Sequence, residues 1–84
     1  DALQHCLALL QPQQRRMIAA RYADGGSVQK VAEMERRPNG SVRVTLHRIR
    51  LMLLECVERT LQSLGLGHLD RTGLQALLQK GFAG

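Results

Sequence analysis

A chain of 84 residues with 12 Lys plus Arg against 7 Asp plus Glu, and a formal charge of +5, describes one small, strongly basic domain. Ten of the twelve cations are Arg, the side chain whose planar fork grips phosphates and guanine edges. Tyr22 and Phe82 are the only aromatics, which argues against a stacking platform for single-stranded nucleic acid, and fifteen leucines against five Val, two Ile and three Thr exclude a sheet-based enzyme fold.

The fold class this predicts is all-α, and the apolar spacing places the helices. Residues 2–10 carry Leu3, Cys6, Leu7 and Leu10 at i, i+3, i+4 and i+7, one amphipathic stripe. Pro12 suits the first turn of a second helix, where its missing N–H costs nothing. That helix runs to about Ala23 and turns Met17, Ile18 and Tyr22 inward. Asp24-Gly25-Gly26 breaks it. Ser27 then caps a short third helix over 28–35, which buries Val28, Val31 and Ala32. After the break Arg36-Arg37-Pro38-Asn39-Gly40, with Asn39 or Ser41 as the expected cap, comes the longest periodic segment, 40–62. Its seam is Val42, Leu46, Ile49, Leu53 and Cys56. Gly65 and Gly67 interrupt, and Leu74, Leu77 and Leu78 mark a tail that reads as a short helix over 70–80, capped by Asp70 or Thr72 and weakened by Gly73.

Cys6 and Cys56 stand fifty residues apart, and the expectation is two thiols packed as small hydrophobes. No His or Cys spacing resembles a metal ligand set, and no cofactor motif is present. No run approaches the roughly 18 apolar residues of a membrane span, and the start has no signal-peptide pattern. A cytoplasmic location follows as the default expectation. The chain opens at Asp1 without Met, so it reads as a piece of something longer.

Helices three and four, a short helix and a longer one across a tight break, form a helix-turn-helix pattern over about 27–60. Stepping 100° per residue from the seam of the fourth helix points Gly40, Val44, His47, Arg48 and Leu51 outward, with Ser41 and Arg43 on the flanks. From Arg36 to Arg50 there are five arginines and no acid, whereas Glu55 and Glu58 come later. Positive charge is thus concentrated on the end of the helix that enters a major groove. A charged, solvated helix face is the plainer account of the same arginines.

Leu10, Pro12, Arg15, Ile18, Arg21-Tyr22, Gly25, Ser27-Val28, Val31-Ala32, Gly40, Val42, Leu46, Arg48, Arg50 and Leu53 fall in one register. The stretch RYADGGSVQKVAEMERRPNGSVRVTLHRIRLMLLECV resembles, without a gap, region 4 of the extracytoplasmic-function sigma factors of bacterial RNA polymerase, over about residues 2–60. The resemblance implies a four-helix domain that reads the promoter −35 element in the major groove and attaches to core polymerase through the flap of the β subunit. Bases and nearby phosphates would be met from Arg43, Val44, His47 and Arg48. Glu35 and Arg36 depart from the usual Leu-Gly of the turn, and Pro38 stands at a common Ser cap.

Roles follow residue by residue. Arg43 and Arg48 are expected to make bidentate guanine or phosphate contacts. Val44 and the Thr45 methyl can meet a thymine methyl, and His47 reads as a groove-facing donor rather than a catalytic base. Ser41 flanks this front, and Arg37 and Arg50 are expected to clamp the backbone. Ser27 either caps its helix or also holds a phosphate. Tyr22 reads as core, and Arg15 as a polar contact within the domain or a DNA contact. Arg71, in the tail, is expected to contribute little.

The expected organisation is a helix-turn-helix domain over 1–64 and a tail or short helix over 65–84. That tail would cover Leu51 and Leu54, which otherwise face a partner. The expected activity is binding, without catalysis or cofactor: a monomer on double-stranded promoter DNA and RNA polymerase, with an anti-sigma factor as a further partner and no membrane. The alternative is a stand-alone helix-turn-helix regulator that dimerises on a palindrome. A third reading is a helical protein-interaction module whose arginines only solvate.

Overall fold

The computed structural model describes residues 1–82. Five helices follow in order: α1 (Ala2–Leu9), α2 (Pro12–Tyr22), α3 (Val28–Glu35), α4 (Asn39–Ser63) and α5 (Arg71–Phe82). No strand occurs among the described residues, and the domain is all-α.

The helices form where apolar side chains recur on one face. Leu3, Cys6, Leu7 and Leu10 are buried in the first stripe, and Met17, Ile18 and Tyr22 in the second. In α3, Val31 and Ala32 are buried and Val28 packs at the edge of the core. The seam of α4 holds through Val42, Leu46, Ile49 and Leu53 and then passes to Val57 as well as the half-buried Cys56. With 25 residues, α4 is about 37 Å long at 1.5 Å per residue and spans most of the 41 Å long axis. α1, α2, α3 and α5 all pack on it.

The ends of the helices have separate causes. Asp1 caps α1, its Oδ1 accepting from the Gln4 N–H at 2.8 Å. The Ser27 Oγ accepts from the Lys30 N–H at 3.1 Å, which fixes the start of α3. α4 differs from expectation. Neither Asn39 nor Ser41 caps it; both lie inside the helix, Pro38 holds the cap position with extended dihedrals, and no side chain makes a cap hydrogen bond to the first-turn N–H groups. Proline's fixed φ suits the extended cap, and its missing N–H is not needed there.

Gly26 lets α2 and α3 meet. A Cβ there would lie 2.2 Å from the Ala20 carbonyl oxygen and 2.6 Å from that of Arg21, so no other residue fits without moving the backbone. α3 ends on Arg36, which takes the left-handed conformation (φ 55, ψ 48) while the Arg37 N–H donates to the Ala32 carbonyl at 3.0 Å. That bond and the Arg36 N–H pointing at Glu33 make the paired closure that usually places glycine at this position.

Two expectations are corrected or sharpened. Cys6 and Cys56 are joined in a disulfide between α1 and α4, with Cα atoms 5.9 Å apart, rather than packed as separate thiols. Fifty residues of intervening chain are no obstacle, because the two helices lie against each other where the cysteines fall. The tail forms α5, with Leu74 and Leu78 buried in the common core and Leu77 exposed. Asp70 caps it, Oδ1 accepting from the Gly73 N–H at 2.8 Å. α5 packs on α2 as well as on α4, and Leu51 and Leu54 are half-buried beside its start.

Candidate nucleic-acid interface

The turn between α3 and α4 is braced by an arginine. The Arg37 guanidinium lies along the start of α4, with Nη2 donating to the Ser41 Oγ at 2.7 Å and the Thr45 Oγ1 at 2.6 Å. The Thr45 hydroxyl donates in turn to the Ser41 carbonyl at 3.0 Å, and Arg37 Nη1 reaches the Met17 sulfur on α2. The structure therefore brings Arg37, Ser41 and Thr45 together, but pointing at one another. All three are half-buried.

Arg43, Val44, His47 and Arg48 stand on the same turns of α4, turned away from its buried seam. All four are exposed, Val44 at 52%. Among the described residues Arg43 and Arg48 enter no ion pair. Their guanidiniums are free to meet an external acceptor. A helix about 10–12 Å across fits a major groove about 12 Å wide, and the uncapped first turn of α4 presents its N–H groups at the same end.

Arg50 lies one turn along and is turned toward the body of the domain. Its Nη1 donates to the Tyr22 hydroxyl at 3.3 Å, and that hydroxyl donates to the Gln75 Oε1 at 2.7 Å. This relay joins α4, α2 and α5. It also frames a groove of about 250 Å³ whose polar rim is His47, Arg50, Arg71 and Gln75. Sequence pattern alone assigns no part to Gln75 and little to Arg71. The available signal was the four-residue spacing from Arg71 to Gln75, in phase with the buried Leu74 and Leu78.

Ser27 caps the start of α3, its oxygen accepting from the Lys30 N–H. Arg15 donates to the Leu10 carbonyl at 3.2 Å, a contact within the domain. Glu35, which stands where the resembling family has an apolar residue, is held between Gln13 Nε2 at 2.9 Å and Arg16 Nε at 3.2 Å. The hydrogen bond from Gln13, and then that from Arg16, hold its carboxyl below the ordinary value of 4.5. Glu35 thus clamps the end of α3 to α2 by polar contacts. No group of three or more His, Cys, Asp or Glu that could hold a metal occurs among the described residues, and no described helix is long and apolar enough to cross a membrane.

Comparison with known proteins gives one result. No curated protein and no solved structure matches the chain, whereas the family described as Sigma-70, region 4 matches residues 1–53. Those residues hold α1, α2, α3 and the first half of α4, including the braced turn and the exposed arginine front. The chain belongs to the sigma-70 region 4 family, the helix-turn-helix DNA-binding domain of sigma factors.

Proposed function

We propose that this domain helps fix RNA polymerase at promoters by setting the first half of α4 in the major groove of the −35 element, as the DNA-binding end of an extracytoplasmic-function type of sigma factor. Arg43 and Arg48 read guanine edges or hold flanking phosphates, Val44 meets an apolar base edge, and His47 donates into the groove. The domain acts by binding rather than catalysis, as a monomer inside the cell, and its other faces serve the β flap of polymerase or an anti-sigma factor.

The observation that carries this reading is the exposed, unpaired Arg43–Arg48 front on the second helix of a helix-turn-helix that belongs to the region 4 family. Selection of bound duplexes from a random pool tests it. A single non-palindromic site is expected. Two inverted half-sites about one helical turn apart would assign the chain to a dimeric regulator instead, and no enrichment would favour a protein-interaction module.

A further inference from the structure

α5 lies outside the part of the chain that matches the family, yet its first turn is set against the candidate DNA-binding helix. Arg71, its first residue, shares the rim of one groove with His47 and Arg50, over a floor that includes Leu51, Leu54 and Leu74. The placement is fixed from two directions. Leu74 and Leu78 are buried in the common core. Gln75, one turn beyond Arg71 on the same face, receives the Tyr22 hydroxyl that Arg50 also bonds. Arg71 is exposed and makes no ion pair among the described residues. No acid lines the groove, and the neighbouring Asp70 carboxylate accepts from the Gly73 N–H.

We propose that Arg71 is a DNA-backbone contact, so that α5 widens the duplex-binding face of this domain by one phosphate. The proposal rests on the reading of α4 as the groove-entering helix. His47 belongs both to the outward front of α4 and to the groove, so the two surfaces are continuous. When a helix occupies a major groove, the phosphate strands flank it. An element packed along the side of that helix therefore meets backbone and not bases. A cation there adds affinity without sequence information, and each phosphate neutralised steepens the fall of log affinity with log salt by about 0.9.

The test measures binding of the 84-residue chain to a mixed-sequence duplex, and to the duplex recovered by selection, between 50 and 200 mM salt. Arg71→Ala is expected to make the slope shallower by about one contact, so that affinity falls about 3.5-fold less across this range. It should do so equally on both duplexes. Arg71→Lys keeps the slope. Lys80→Ala, at the other end of α5, removes the same formal charge and leaves the slope as it was. Thermal melting of each variant shows that α5 stays docked. An unchanged slope for Arg71→Ala, while Arg43→Ala and Arg48→Ala weaken binding, overturns the proposal and leaves the assignment of α4 standing. If Arg71→Ala instead weakens only the binding of a polyglutamate peptide, the groove takes an acidic protein segment and the proposal is overturned. Failure of the parent chain to bind either duplex removes both readings together.

Discussion

Two kinds of arginine share the start of α4. Arg43 and Arg48 are exposed and have no ion-pair partner among the described residues, whereas Arg37 is committed to Ser41 and Thr45. Substitution separates them. Arg43→Ala or Arg48→Ala is expected to cost about 1–3 kcal/mol of DNA affinity with relaxed base preference, and to leave the thermal midpoint unchanged. Arg37→Ala is expected to cost about 1–2 kcal/mol of stability, read by denaturant titration. Glu35 adds a pH dependence. Its carboxyl titrates lower in the folded domain than in the unfolded chain, with the Gln13 hydrogen bond as the first cause. The ionised form therefore contributes stability above 4.5, and that contribution is lost as pH falls through the lowered folded value. Melting curves of the parent and of Glu35→Gln should diverge near neutrality and converge in acid.

The span of each helix is a local property, and so it was legible. Leu3, Cys6, Leu7 and Leu10 announce α1 by spacing alone, and Ser27 announces the start of α3 because its cap bond reaches only three residues. What depends on neighbours distant in sequence was not legible. The start of α4 is a local exception: it falls at Pro38, with Asn39 and Ser41 inside the helix and Ser41 engaged with Arg37. The front of α4 followed from its seam, but nothing local brings Arg71 to His47 or turns Arg50 onto Tyr22. The end of α3 hides a strained residue, Arg36 at φ 55. Glycine meets no Cβ penalty there, so Arg36→Gly is expected to stabilise the domain by about 1 kcal/mol, measured by denaturant titration. α5 is part of the common core. Leu78→Ala is expected to cost about 2–5 kcal/mol, and truncation after Ser63 to lower the melting temperature further.

At the scale of the molecule, four helices wrap one long one, and a single covalent link ties the first to the last third of α4. Spacing could not reveal that link, because it depends on where two Cβ atoms face and not on how much chain lies between them. Closing a loop of about fifty residues restricts the unfolded chain by about 4 kcal/mol. Reduction with dithiothreitol should lower the melting temperature accordingly while leaving helix content intact at 25 °C, with Cys6 still buried among leucines. The same wrapping sets an order of assembly. α1 is made first, but it lies against the second half of α4, where Cys56 and Thr60 face Cys6. An eight-residue helix does not persist alone, so during synthesis α1 has nothing to rest on until residue 60 has emerged from the ribosome. α2, α3 and the first half of α4 are near neighbours in sequence and can associate sooner. The part proposed to enter the major groove is therefore the part able to take shape first, and α1 and α5 close over it afterwards.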